Sequence, residues 1–308
     1  MIKKQGKTIV PISVLISQTK IVRILLAVCI LLLYPAFPAL AQQYGNNQHI
    51  EFQVGDTLRT AEMYMPPNLS TNAASPLVIN LHSTGGRPEG QERISGMSLI
   101  ADRENFILLS GMASYLRADG SRTWNADLDP DGVSDVSYIL AAIEAVDAQS
   151  SVDRNRIYVT GFSGGARMAS RLACELSDIL AAVAPVAGVQ FAKNCDPSRA
   201  IPIITFHSED DPVNTYYTGN VDRNPSWIDG VELAISNWAE SNTCSASPLD
   251  EFITQEITRL TYIDCSGQST VVFYQLDRGG HAWPGTSSIT DINASELIWE
   301  FFEEHQLP

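Results

Sequence analysis

The chain has 308 residues, with 35 Asp or Glu against 20 Lys or Arg and a formal net charge of −15 at pH 7. So acidic a chain is repelled by nucleic acid and by anionic membranes, which excludes both as principal partners. The length suits one α/β domain with a sizeable core.

The first 41 residues predict a secretory signal peptide. They contain five Lys or Arg and no Asp or Glu, and the basic residues precede an apolar run at 24–33 and a small-residue cleavage site at 39–41. An uncleaved anchor helix is the alternative, but Pro35 and Pro38 interrupt the apolar run. The residue directly after the cleavage site is Gln42, whereas a lipoprotein would require a cysteine there. We therefore expect a secreted or periplasmic single domain at 42–308 with no membrane attachment after cleavage.

Beyond this segment, strands alternate with helices along most of the chain. Residues 42–75 predict an antiparallel meander with strands at 50–52 and 61–65, and the continuous apolar run 77–81 is typical of a central parallel strand. The alternation predicts an α/β fold whose sheet is mainly parallel and covered by helices on both faces. Further strands are predicted at 106–109, 156–160, 180–186, 201–207 and 271–276, and helices at 94–105, 134–149, 166–176, 231–240 and 294–305.

The most informative motif is Gly161-Phe162-Ser163-Gly164-Gly165, between a predicted strand and a predicted helix. A strand, a Gly-x-Ser-x-Gly turn and a helix together hold a serine hydroxyl at the tip of a sharp bend, where a base can reach it. A side chain at Gly161 or Gly165 would crowd the strand against the helix. The alternative is that Ser163 is an ordinary helix N-cap.

A serine hydroxyl becomes a nucleophile when an imidazole accepts its proton and a carboxylate orients that imidazole. The strand at 201–207 runs into an acidic turn at 208–213, and the strand at 271–276 runs into a glycine-rich loop at 278–285 that carries one histidine. Loops at strand ends are where open α/β sheets place their chemistry. The predicted nucleophile, orienting carboxylate and base are Ser163, Asp211 and His281.

Other residues compete for two of these roles. Asp211 precedes Pro212, whose ring restricts the preceding residue to extended geometry, but Asp210 is the alternative carboxylate. His82 and His207 end strands upstream of the places from which a base should come, so His281 is the preferred base.

The oxyanion of the tetrahedral intermediate needs two preorganised backbone N–H donors. Gly164, directly after the nucleophile, is expected to supply one. The second should come from the turn after the 77–81 strand, where Ser83 is slightly favoured over Thr84. His82 is interpreted as a structural histidine that holds this turn.

Two tryptophans are candidates for the walls of an acyl pocket. Trp283 lies two residues beyond the proposed base, which favours a place in the pocket. Trp124 is the second candidate, with a position in the core as its alternative.

Four cysteines remain after removal of the signal peptide, and an even number in an exported chain predicts two disulfides. Of the three possible pairings, sequence proximity favours Cys174–Cys195 and Cys244–Cys265. Each would close a loop of about 20 residues and contribute roughly 3 kcal/mol. A zinc site is the alternative, but no C-x-x-C motif or nearby histidine supports it.

An acidic stretch at 127–135 matches the first nine positions of an EF-hand-type loop, and its carboxylates are Asp127, Asp129, Asp131 and Asp135. Position 12 is Tyr138 rather than a bidentate glutamate. The alternative is an acidic turn at a helix start, where the charge of Asp135 interacts favourably with the helix dipole. Calcium is therefore a weak candidate, and no cofactor is expected.

Five stretches resemble the poly(3-hydroxybutyrate) depolymerase and feruloyl esterase group of α/β-hydrolases, over a region from about residue 50 to the C-terminus. The resemblance implies an α/β-hydrolase fold, the same three catalytic residues with Asp211 preferred to Asp210, and the same cysteine pairing. The chain departs from the group at Ser83 and Ser208, where the group usually has glycine. The stretches are 77–86, 159–166, 181–188, 206–213 and 279–285, of which Asp-Pro-Val at 211–213 and Gly-Gly-His-x-Trp-Pro-Gly at 279–285 are the most specific.

These observations predict an exported carboxylic ester hydrolase that acts through an acyl-enzyme. The resemblance implies feruloyl or acetyl esters on plant cell-wall polysaccharide as substrates, with extracellular poly(3-hydroxybutyrate) or polyester depolymerisation as the alternative. A serine peptidase and a non-catalytic binding protein on the same scaffold are the competing hypotheses from other classes.

Overall fold

A computed structural model of the chain describes residues 45–70, 73–126, 134–192, 194–217, 230–286 and 291–308. The predicted signal peptide lies outside the described residues, as do Asp127, Asp129 and Asp131 of the acidic stretch. Within the described ranges, no helix combines the length and the apolar character needed to cross a bilayer.

The strands form one ten-stranded sheet and a separate two-stranded ribbon. The strands are β1 (Asn46–Val54), β2 (Thr57–Met65), β3 (Ser75–Leu81), β4 (Ile107–Gly111), β5 (Tyr115–Leu116), β6 (Arg122–Thr123), β7 (Val152–Phe162), β8 (Ala182–Val186), β9 (Ile203–Ser208), β10 (Leu249–Phe252), β11 (Ile257–Tyr262) and β12 (Val271–Leu276). In the large sheet they lie in the order β1-β2-β4-β3-β7-β8-β9-β12-β11-β10, and β5 pairs with β6 in the ribbon.

The centre of the sheet is parallel and both of its edges are antiparallel. Strands β4, β3, β7, β8, β9 and β12 run parallel to one another. The antiparallel pairs β1–β2 and β10–β11 extend the two edges. The predicted parallel sheet and its N-terminal meander are therefore confirmed.

Helices cover both faces of the sheet because the buried residues of the central strands alternate between two cores. On β3, Leu77, Ile79 and Leu81 belong to one core and Val78 belongs to the other. The helices are α1 (Pro88–Ser95), α2 (Met97–Glu104), α3 (Asp135–Asp147), α4 (Gly164–Glu175), α5 (Val231–Ser241) and α6 (Ala294–Glu303). The first core includes buried residues of α3, α4 and α5, and the second includes those of α2 and α6.

Two parts of the fold differ from the prediction. The single helix expected at 94–105 is two helices, because Gly96 adopts a left-handed conformation with φ 61° and ends α1 before α2 begins. The antiparallel edge formed by β10 and β11 was not predicted. All four residues of β10 are exposed, so no apolar alternation marks the strand in the sequence.

The predicted disulfides Cys174–Cys195 and Cys244–Cys265 are both present. The first ties the last turn of α4 to the segment after β8. The second ties the chain after α5 to the chain after β11.

Candidate active site

Ser163 lies at a strained turn between β7 and α4. Its backbone has φ 54° and ψ −110°, a combination that non-glycine residues rarely adopt and that costs about 1–3 kcal/mol. Close packing fixes the turn, since a methyl group added at Gly165 would lie 2.1 Å from Leu81 O, and one at Gly161 would lie 2.6 Å from the carbonyl carbon of Gly165. The crowding expected at both glycines is confirmed. Ser163 makes no side-chain capping bond to α4, so an ordinary N-cap does not account for it.

The carboxylate of Asp211 holds the imidazole of His281. His281 Nδ1 lies 2.7 Å from Asp211 Oδ2, which leaves Nε2 as the nitrogen available to a substrate or a nucleophile. The other oxygen of Asp211, Oδ1, accepts from the N–H of Val213 at 2.7 Å and of Asn214 at 2.9 Å. The carboxylate is thus fixed at both oxygens, and it is only 3% exposed.

A second histidine, His207, contacts the same carboxylate. Its Nε2 lies 2.7 Å from Asn214 O and 3.3 Å from Asp211 Oδ2, and its side chain is fully buried. Both neighbours are acceptors, which places the proton on Nε2. Burial acts to raise the pKa of Asp211, but the hydrogen bonds from His207 and His281 outweigh it and hold the pKa well below its usual range. Asp211 is therefore ionised at neutral pH.

The neighbouring Asp210 has a different role. Its Oδ1 accepts from the N–H of Gly279 at 3.0 Å and of Gly280 at 2.7 Å. These bonds anchor the loop that carries His281, whereas the imidazole itself is bonded to Asp211. The geometry thus shows which of the two neighbouring aspartates bonds to the imidazole, a choice that the residue types alone left open.

The structure brings His281 to the nucleophile turn through Phe162. The two rings lie 4.9 Å apart between centroids, and Phe162 directly precedes Ser163. Ser163 Oγ and His281 do not form a hydrogen bond in this structure. In hydrolases without substrate this contact is often long and shortens when substrate binds.

The predicted oxyanion loop places Thr84, rather than Ser83, next to Gly164. A methyl group added at Gly164 would lie 2.9 Å from Thr84 N and 2.5 Å from Thr84 Oγ1. The carbonyl of Ser83 instead closes the turn, accepting from the N–H of Gly86 at 2.8 Å and from His82 Nδ1 at 2.7 Å. Of the two residues considered for the second donor, Thr84 is therefore the one whose backbone nitrogen lies beside Gly164.

His82 has the structural role that the sequence suggested. Besides its bond to Ser83, its Nε2 accepts from the N–H of Ala113 at 3.1 Å. Burial lowers its pKa, which keeps the imidazole neutral and suits one nitrogen donating while the other accepts.

Sequence reasoning missed a buried arginine that connects the two sides of the site. Arg167, on α4, is 5% exposed, and its backbone N–H donates to Ser163 O at 3.0 Å. Its Nη1 donates to Asn214 Oδ1 at 3.1 Å and its Nη2 lies 3.4 Å from Thr84 Oγ1. Its position four residues after Ser163, one helical turn on, was the available signal, but its partners come from distant loops.

The two tryptophans expected to line an acyl pocket belong to the core instead. Trp283 is 1% exposed and its indole N–H donates to Ser295 Oγ at 2.9 Å. Trp124 is 2% exposed and donates to His82 O at 2.8 Å. Both indoles are thus buried and hydrogen-bonded within the protein, which corrects their assignment as pocket walls.

Asp135 is engaged by the protein rather than available to calcium. It is fully buried, its Oδ2 accepts from the N–H of Asn125 at 2.7 Å, and its Oδ1 lies 3.4 Å from Arg59 Nη2. Burial raises its pKa. The other three aspartates of the calcium hypothesis lie outside the described residues. Within those residues, no three or more His, Cys, Asp and Glu side chains are grouped as a metal site requires.

The family model "Esterase PHB depolymerase" matches residues 59–271. The chain belongs to this family. It is 27% identical over 252 residues to feruloyl esterase B of Piromyces equi, covering 79% of this chain and 44% of that protein. It is 31% identical over 229 residues to the putative esterase NocK of Nocardia uniformis subsp. tsuyamanensis, covering 68% of this chain and 66% of that protein. The chain thus spans less than two thirds of the length of either relative.

A solved acetyl xylan esterase from Aspergillus awamori superposes with a TM-score of 0.58 at 17% identity, over 84% of this chain and 99% of that one. At this level of identity the likeness concerns the fold. The structure and this neighbour agree with the α/β-hydrolase fold that the sequence motifs implied.

Proposed function

We propose that this protein hydrolyses carboxylic esters through an acyl-enzyme, with Ser163 as the nucleophile. The observation that carries the proposal is the 2.7 Å contact between Asp211 Oδ2 and His281 Nδ1. Like the strained Ser163 turn, these residues follow the carboxyl ends of parallel strands. Membership of an esterase family and the similarity to feruloyl esterase B support it.

In this mechanism Ser163 Oγ attacks the ester carbonyl while His281 Nε2 accepts its proton. The N–H groups of Gly164 and Thr84 stabilise the oxyanion that forms. His281 then gives the proton to the departing alkoxide, and the acyl group remains bound to Ser163. Water repeats the sequence with His281 as base and releases the acid. Asp211 stays ionised throughout and stabilises the imidazolium.

The substrates we propose are feruloyl or acetyl esters on plant cell-wall polysaccharide. The names of the relatives and of the structural neighbour favour these acyl groups, while the family description keeps a polyester such as poly(3-hydroxybutyrate) as the second candidate. The predicted signal peptide and the two disulfides support export to an oxidising compartment, where such polymers are met.

The first test compares the wild-type protein with Ser163→Ala on 4-nitrophenyl acetate. We expect kcat to fall by about 10⁴-fold or more, because the nucleophile is lost while the fold is kept. Equal rates would contradict the proposal and favour a binding protein. Turnover of methyl ferulate, acetylated xylan and poly(3-hydroxybutyrate) under identical conditions then distinguishes the candidate substrates, and a peptide anilide tests for peptidase activity.

A further inference from the structure

A cavity of about 560 Å³ adjoins the proposed oxyanion loop. Its walls are the loop after β3, the turn that joins β5 to β6, and Met112, which follows β4. Two contacts hold these walls together, since the N–H of Gly85 donates to Arg122 O at 2.7 Å and Thr84 Oγ1 lies 2.8 Å from Thr123 Oγ1. Thr84 also supplies a proposed oxyanion donor, so the cavity begins one residue away from where the ester carbonyl would bind.

The charged side chains that line this cavity are both arginines, Arg87 and Arg122. Both are exposed, and neither takes part in an ion pair within the part of the chain that the structure describes. The exposed Arg103 and Arg154 pair with carboxylates, whereas the exposed Arg93 takes part in no ion pair among the described residues. The absence of such pairs at the cavity is notable in a chain of net charge −15.

The carboxylate of Asp119 lies in the same turn but is engaged locally. Its Oδ1 accepts from the N–H of Ser121 at 2.8 Å and from Ser121 Oγ at 2.6 Å, and Asp119 is not among the residues that line the cavity. The remaining lining residues include Gly85, Gly86 and Gly120, which leave room beside the guanidinium groups. The volume is within the range of small-molecule sites.

We propose that this cavity binds a carboxylate carried by the ester substrate. A guanidinium presents a planar set of N–H donors that matches a carboxylate and retains its charge at any physiological pH. The substrate class is therefore an ester with a second, ionised carboxyl group. That group belongs either to the acyl part, as in a half-ester of a dicarboxylic acid, or to the alcohol part, as in a uronic acid residue of an acidic polysaccharide. The inference rests on the proposed esterase function and narrows its substrate.

Binding is tested first, on the Ser163→Ala variant, so that no turnover is required. Isothermal calorimetry measures the Kd of trigalacturonic acid and of adipate for two proteins: the Ser163→Ala parent, and the same parent that also carries Arg87→Gln and Arg122→Gln. We expect the Kd of at least one probe to rise by about tenfold or more, and to rise with added NaCl in the parent. Arg154→Gln is the matched control, because Arg154 lies near the start of β7, at the end of that strand opposite Ser163, and its loss should leave both Kd values unchanged.

Turnover then identifies which part of the substrate carries the carboxylate. The acyl arm compares the 4-nitrophenyl half-ester of adipic acid with 4-nitrophenyl hexanoate. The alcohol arm compares acetylated oligogalacturonide with acetylated xylo-oligosaccharide. In one arm, the ratio of kcat/KM for the anionic substrate to that for the neutral one should fall by about tenfold in the double Gln variant. It should fall by less in Arg87→Lys/Arg122→Lys, which keeps both charges but loses the planar set of donors.

Unchanged Kd values for both probes, together with unchanged ratios in both arms, would overturn the carboxylate site. Thermal melting of each variant checks that the fold is kept. A Ser163→Ala protein that hydrolyses esters as fast as the wild type would instead refute the proposed function, while calorimetry would still decide whether the cavity binds carboxylates.

Discussion

At the scale of single residues, the site depends on how completely one carboxylate is fixed. Asp211 accepts two backbone N–H groups at Oδ1 and faces two histidines at Oδ2. His281 is the histidine that can take part in proton transfer, and His207 is buried behind the carboxylate. The arrangement fixes the orientation of the His281 imidazole, the proposed base, by fixing its partner.

The depressed pKa of Asp211 predicts how stability depends on pH. A carboxyl group whose folded pKa lies below its unfolded value of about 3.9 contributes stability that is fully present above that pH and is lost as the pH falls towards the folded pKa. At pH 7, Asp211→Asn should therefore melt at a lower temperature than the wild type, and the difference should shrink below about pH 4. Thermal melts between pH 7 and pH 2 measure this, and a difference that is constant with pH would contradict it.

Replacing Arg167 should lower kcat rather than weaken substrate binding. Its guanidinium contacts Asn214 on the Asp211 side and Thr84 on the oxyanion side, so Arg167→Met should misplace both without touching the substrate. We expect kcat on 4-nitrophenyl acetate to fall by about 10- to 100-fold with a smaller change in KM. Added guanidinium should restore part of the rate.

Arg171→Met is the control for Arg167, because Arg171 lies one turn further along the same helix and pairs with Glu175. Its loss should change the melting temperature more than kcat. If both variants lose kcat to the same extent, Arg167 has only a structural role.

At the scale of secondary structure, the second disulfide joins elements on the side of the sheet away from the site. Cys265 precedes β12, whereas His281 follows the opposite end of that strand. Replacing Cys244 and Cys265 with serine should cost about 3 kcal/mol, which lowers the melting temperature by roughly 6–12 °C. The value of kcat/KM for 4-nitrophenyl acetate should stay within about twofold at 25 °C. A large loss of activity in the folded variant would mean that the disulfide also shapes the site.

The elements that the sequence predicted best are those whose burial leaves a pattern. The central strands are apolar on both faces because helices cover both, and a continuous apolar run such as that of β3 is visible without a structure. The strand β10 is exposed at all four residues and is held by backbone pairing to β11, which leaves no such pattern. The break at Gly96 depends on one left-handed residue within an otherwise helical stretch.

The same reasoning explains which site residues could be predicted. Ser163, Asp211 and His281 follow strand ends in motifs with glycine or proline beside them, and the parallel sheet brings those ends together. The roles of His207 and Arg167 arise from contacts between segments far apart in the chain, for which no local pattern exists. Trp283 was misassigned because proximity in sequence to the proposed base does not determine on which side of the loop an indole packs. For Trp124, the alternative position in the core is the one observed.

At the scale of the whole molecule, removal of the N-terminal segment determines how many free thiols the chain keeps. Four of the five cysteines are paired, in Cys174–Cys195 and Cys244–Cys265. The remaining one is Cys29, within the predicted signal peptide. Cleavage after Ala41 would remove it and leave no free thiol. An uncleaved anchor would instead retain one free thiol in every chain.

This difference separates the two fates of the N-terminal segment in one measurement. We expect the exported, denatured and unreduced protein to show no reaction with a thiol reagent, and its intact mass to match a chain that begins at Gln42. After reduction, four thiols per chain should react, because both disulfides open. The reduced and denatured sample is also the control for reagent access, because it shows that the reagent reaches the cysteines of the unfolded chain. One reactive thiol before reduction, with a mass that includes the first 41 residues, would show that the segment is kept as an anchor.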